Sequence, residues 1–159
     1  MEIRIGGVYF PDDSLLTKDE IEPEDIFWLY AIAIERKIWI EAISLGYTMI
    51  EIGLTQLMRS GAQGHPTISE SRINQCNYLI QLAKLAHDEK IIDQSLYDKI
   101  DQFNKVRRAA IHKLAEGRTK KSELESAAHS VTDCLSEFQR LLGIKITVGH
   151  EERNPDFKE

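Results

Sequence analysis

The sequence predicts an all-α protein, an up-and-down four-helix bundle formed as a single domain over residues 1–159. Three observations lead there. Apolar residues recur at helical spacing through four long segments. Glycine, proline and helix-capping residues fall between those segments. A chain of 159 residues, 42% of them hydrophobic, is large enough to close one core. The helical body is expected over about 25–142, between a short head and a polar tail at 149–159.

The elements follow in order. Ile3 to Phe10 alternates weakly and is compatible with a strand. Pro11 to Pro23 is acidic and loop-like. A first helix is expected from about Glu24 to Arg59, with Ile26, Tyr30, Ala33, Ile34, Ile43, Ile50, Leu54 and Leu57 on its apolar stripe. Within it, Ser44-Leu45-Gly46 and Gly53 allow a bend or a close helix contact. The run SGAQGHP, residues 60–66, breaks the pattern. Thr67 and Glu70 have capping-box spacing and open a second helix that ends near His87. Asp93 is the expected N-cap of a third helix reaching Ala115, with Gly117 as its stop. Ser122 and Glu125 repeat the capping-box spacing before a fourth helix to Leu142. Ile144 to Val148 alternates again, and the two terminal strands are candidates to pair.

Charge and cysteine content narrow the function. The net charge of -6 argues against nucleic-acid binding by overall charge. The charge is unevenly spread, however. Eight acids against Lys18 lie between Pro11 and Glu35, whereas seven bases against Glu116 lie between Lys105 and Lys121. The basic run reads either as a solvated helix end or as a phosphate-binding patch. Ile38 to Leu57, the most apolar stretch, is too polar to span a membrane. Cys76 and Cys134 lie in helical patterns without metal-ligand spacing and read as reduced thiols. With no leader pattern at MEIRIGGVYF, the expected compartment is the cytoplasm. Trp28 and Trp39 are read as first-helix packing residues.

One position of the third helix breaks its own stripe. Leu96, Ile100, Phe103, Ala110 and Leu114 share a face, and the missing member is Arg107. A cation there needs an inward acid, for which Glu51 is the best candidate, or a cleft. His112 favours the cleft. Arginine can hold a phosphate and offset charge on its oxygens, and histidine moves protons near neutral pH, so the pair suits phosphodiester chemistry without a metal or other cofactor. His65, His87, His129 and His150 are scattered and form no ligand set.

The run FNKVRRAAIHKLAEG resembles the signature of HEPN domains, an Arg followed by four to six residues and a His, here Arg107 and His112. The flanking LAHDEKIIDQSLYDKIDQF and SELESAAHSVTDCLSEFQRLLG resemble the neighbouring helices of such domains, and the likeness covers roughly residues 25–142. It implies a metal-independent endoribonuclease of toxin or defence type. Two protomers would bring their motifs into one composite cleft. The likeness also implies that a ribose 2′-OH attacks the adjacent phosphate, with His112 as general acid or base and Arg107 orienting the phosphate. The products would be 2′,3′-cyclic phosphate and 5′-OH ends. Arg108, Lys105 and Lys113, from the basic run, are the expected RNA-binding residues beside the motif, although Arg108 could instead mark a repurposed site. An antitoxin or a nucleotidyltransferase is an implied partner. The chain departs from the family at Arg108, where a polar residue, most often Asn, is usual. This bears on catalysis more than on fold.

On an ideal helix Arg107 and His112 lie about 140° apart, whereas Arg108 and His112 share a face. Helix deformation, a curled arginine or a site between protomers would each reconcile that. Two other readings stay open. One is a non-catalytic HEPN-like module that binds a protein partner or a nucleotide, with His112 exposed or tied up in a structural hydrogen bond and Arg107 paired to Glu51 or another acid. The other is an immunity or antitoxin-like protein that uses its acidic head, Pro11 to Asp25.

Overall fold

Helix geometry dominates the computed structural model, which describes residues 2–5, 19–20, 23–143 and 145–148. Strand β1 (Glu2–Ile5) is followed by α1 (Pro23–Glu35), α2 (Trp39–Ser60), a 3-10 turn (Ala62–Gly64), α3 (Glu70–Asn74), α4 (Leu79–Asp88), α5 (Gln94–Ala115), α6 (Lys121–His129), α7 (Val131–Leu142) and β2 (Lys145–Val148). The all-α bundle is therefore observed, with more breaks than the four expected helices. Most of the acidic head and the tail, including His150, lies outside the described residues.

The breaks have local causes. The expected first helix divides because Lys37 turns left-handed, at φ 59°. Ile38 N–H then donates to Ala33 O at 2.8 Å and Lys37 N–H to Ile34 O at 3.1 Å, a Schellman termination. Lys90, at φ 61°, ends α4 the same way, with Ile91 N–H donating to Ala86 O. Gly117 does so after α5, where the sequence expects a stop.

The two capping boxes read from the sequence are not formed. Residues 67–69 precede α3, and Glu70 takes Arg59 in a two-pronged ion pair at 2.5 and 2.7 Å instead. Before α6, the Glu123 carboxylate, not Glu125, accepts the Lys120 N–H at 3.2 Å. Ser130 separates α6 from α7. Its hydroxyl donates to Ala127 O and that of Thr132 to His129 O, and such bonds compete with the helical ladder. Asp93 caps α5 as expected, its carboxylate accepting Leu96 N–H at 2.9 Å.

Helix α2 is the axis of the core. It packs against α1, α4, α6 and α7, while α5 packs against α4, α6 and α7. Ile43, Ile50, Leu54, Leu57, Leu79, Ile100, Phe103, Val131, Cys134 and Phe138 are buried at the centre. Two glycines let α7 approach α2. A Cβ on Gly46 would collide with the Val131 methyls, and one on Gly53 would lie 2.9 Å from the Phe138 ring. α2 remains continuous, so Gly46 and Gly53 serve close packing rather than a bend. Tyr30 joins α1 to α6 by donating its hydroxyl to Ala128 O at 2.8 Å, and burial raises its pKa to about 12.

Trp39 is buried against His129, ring centroids 5.7 Å apart, and its indole N–H has no hydrogen-bond partner. Trp28 is half-buried, so both tryptophans pack as expected. β1 and β2 pair in parallel, Glu2 opposite Lys145 through Ile5 opposite Val148. No helix of the described residues is long and apolar enough to cross a membrane.

Candidate functional site: the cleft beside Arg107

Helix α5 is unbroken over 22 residues. Its first half is seated, with Leu96, Ile100 and Phe103 buried. After Phe103 its cover thins, with Val106 still packed against the core and α6 alongside. From Arg108 to Arg118 only Ala110 is buried, and Thr119 ties the helix end back by donating its hydroxyl to Ala110 O at 3.0 Å. Leu114, expected on the core face, is 39% exposed, and Ile111 is 38% exposed. The helical period continues past the point where the bundle supplies a partner.

Arg107 sits at the transition. It is half-buried, and its guanidinium carbon lies 4.3 Å from the centre of the Tyr47 ring. The delocalised cation is attracted to the ring face, about 0.5–2 kcal/mol depending on desolvation. The Tyr47 hydroxyl accepts the N–H of Leu79, the first residue of α4, at 3.1 Å, so one ring joins α2, α4 and α5. Burial raises the Tyr47 phenol above its ordinary pKa, against the opposing Leu79 hydrogen bond.

Glu51 is the acid expected to pair with Arg107, and it stands close without bonding it. Burial raises its carboxyl above the usual carboxylate range, outweighing the Tyr47 hydroxyl and the Arg107 charge, which both favour ionisation. Among the described residues no ion pair joins Glu51 to Arg107. The inward acid thus tempers Arg107 without neutralising it by contact.

Tyr47, Tyr78, Leu79, Ile80, Asn104, Arg107 and Arg108 line a cleft of about 510 Å³, within the range of small-molecule sites. No acid lines it, and neither arginine has an ion-pair partner among the described residues. The other bases of the basic run behave differently. Lys105 pairs with Asp101 at 2.5 Å, Lys113 with Glu123 at 2.7 Å and Arg118 with Glu116. These exposed pairs are weak and screened.

His112 does not line this cleft. It is exposed, one turn beyond Arg108, between the exposed side chains of Ile111 and Lys113. Because α5 does not deform, Arg107 and His112 keep the angular separation of an ideal helix.

Sequence reasoning did not find Tyr47 and Tyr78. Tyr47 sits off the marked stripe, and its partners are distant in sequence. Tyr78 immediately precedes a helix that the sequence reading started at Thr67. Cys76, expected within a helix, lies in the connection between α3 and α4 and is half-buried. Cys134 is buried, and desolvation raises its thiol pKa to about 12. No group of three or more His, Cys, Asp or Glu suited to a metal occurs among the described residues. Comparison of the chain with protein-family models, curated proteins and solved structures found no match.

Proposed function

We propose that the chain is a metal-independent endoribonuclease of the HEPN type, a cytoplasmic toxin or defence component held in check by a separate antitoxin. One observation carries the proposal. Arg107 is presented at a cleft wall by Tyr47, with Arg108 beside it and no ion-pair partner for either among the described residues. A planar guanidinium held this way suits a phosphodiester better than it suits a sealed core.

The chemistry needs His112 as well. The 2′-OH oxygen bonds to phosphorus, the P–O5′ bond breaks, the 2′-OH proton goes to a base and an acid protonates O5′. His112 serves as that acid or base, and Arg107 stabilises the phosphoryl oxygens. Within one chain the two side chains diverge around α5, so the working site is composite. The Arg107 cleft of one protomer meets the His112 face of its partner. The exposed Ile111 and Leu114 beside His112 supply apolar surface for that contact.

Purified protein and His112→Ala are incubated with RNA in EDTA, and the product ends are identified. Ends bearing 2′,3′-cyclic phosphate from the wild type alone support the reading. Intact RNA with both folded proteins rejects it.

The position of His112 outside the cleft favours a second reading, a non-catalytic module that binds a nucleotide through Arg107 and Arg108. It predicts nucleotide binding by a monomer, with no dependence on His112.

A further inference from the structure

We infer that the cleft holds one nucleoside phosphate unit, its unpaired base stacked on Tyr78 and its phosphate on Arg108. This deepens the ribonuclease reading and rests on it for the polymer, single-stranded RNA.

Tyr78 carries the inference. The residue is 64% exposed, the most exposed large hydrophobic among the described residues, yet it stands on a fixed backbone. It is the N-cap of α4 in extended conformation, φ -138° and ψ 148°. Its carbonyl accepts the N–H groups of Gln81 at 2.9 Å and Leu82 at 3.2 Å. The preceding Asn77 N–H donates to Gln81 Oε1 at 2.7 Å. The backbone at Tyr78 is therefore fixed at the cleft edge, and among the described residues its ring has no ring, cation or hydrogen-bond partner, which leaves its face open.

The other tyrosine of the cleft is already engaged. Tyr47 gives a ring face to Arg107 and its hydroxyl to Leu79 N–H, so it forms a wall. Arg108 is exposed and lacks an ion-pair partner among the described residues. Asn104 lines the same space and offers both a donor and an acceptor. An aromatic face, a cation and an amide in one acid-free cleft are what a base with its phosphate needs. Bases stack on aromatic rings irrespective of sequence, whereas an acidic peptide gains little from an exposed ring face.

The test uses the full chain and a fluorescein-labelled 2′-O-methyl RNA hexamer, which binds without being cut because its attacking oxygen is blocked. Anisotropy is read for wild type, Tyr78→Ala, Tyr78→Phe and Arg108→Gln. Competition is run with an abasic hexamer, with adenosine 5′-monophosphate and with an acidic phosphopeptide. Tyr78→Ala is expected to raise Kd about 5- to 100-fold, with Tyr78→Phe near wild type because the ring remains. The abasic hexamer should compete weakly.

Equal binding by Tyr78→Ala and wild type, or an abasic hexamer or phosphopeptide as effective as the full RNA, overturns the subsite. So does failure of wild type to bind both hexamer and mononucleotide. Tyr78-dependent binding without cleavage of ordinary RNA keeps the subsite and removes the ribonuclease reading. Mononucleotide competing as well as the hexamer upholds the base–phosphate site and assigns it to free nucleotide rather than polymer. Thermal melts of the variants confirm that each is folded.

Discussion

Gly46 and Tyr47 are neighbours on α2 and do opposite things. Gly46, with Gly53, faces α7 and brings the two helices so close that no side chain fits. Tyr47 faces α4 and α5 and lines an open space. One edge of α2 is a seam and the other is a cleft wall. The seam is built of atoms too small to fail by themselves, so its cost appears when anything is added. The cleft wall combines the Tyr47 ring with a guanidinium that has no ion-pair partner among the described residues, and the half-buried Glu51 carboxyl stands close by without lining it. Under the proposed function, stability and ligand binding are thus divided between two edges of the same helix.

The largest effects are expected on the cleft side, where they should leave the fold intact. His112→Ala should lower RNA cleavage about 10²- to 10⁴-fold. Arg107→Ala should lower it about 10²- to 10³-fold. Neither should shift the melting temperature as much as a core truncation does, since His112 is exposed and Arg107 is tied chiefly to one ring. A cleavage loss that merely tracks unfolding would erase the distinction between the two edges.

The seam predicts the reverse. Gly46→Ala pushes a methyl into Val131 and should destabilise by about 1–3 kcal/mol, partly offset by the better helix propensity of alanine. Denaturant melts of Gly46→Ala, Val131→Ala and the pair would sharpen this. The double variant should lose less than the two singles combined, because the added methyl enters the space that the valine vacates.

Smaller effects belong to the half-buried Glu51 and to the two thiols. Folding raises the pKa of Glu51, so the folded state holds its proton more tightly than the unfolded chain. Its contribution is therefore full below the ordinary glutamate pKa and is lost as pH rises through the raised value. Glu51→Gln should be relatively more stable than wild type above that range and should remove this part of the pH dependence, read as melting temperature against pH. The smallest effect is chemical. Cys76, half-buried outside the core, should alkylate in the native state, while Cys134 should react only on unfolding, its thiol pKa being raised to about 12.

Much of this was legible in the sequence where a residue type carries its own geometry. Asp93 announces the start of α5 and Gly117 its stop, because a short carboxylate and a residue without Cβ suit those positions. Lys37 and Lys90 take the same left-handed turn without a glycine signal, so the break between α1 and α2 was hidden. Arg107 was visible as a gap in a stripe, since a cation on an apolar face demands an explanation. Leu114 was misread because periodicity reports which face a residue occupies, not whether the bundle extends that far. Tyr47 could not be read at all. Its role depends on Leu79, 32 residues away in sequence, and on an arginine still farther along.

The buried indole of Trp39 gives the molecule an internal optical gauge. A ring shielded from water, with no partner for its N–H, should emit at short wavelength and shift red when the core opens. Trp39 lies eight residues before Tyr47, about 12 Å along the helix axis. Occupation of the cleft should therefore change tyrosine signals near Tyr47 and Tyr78 and leave the Trp39 band in place. Loosening of the core around α2 should move the tryptophan band first. One spectrum recorded during a titration can then separate a ligand settling on the surface from a fold giving way beneath it.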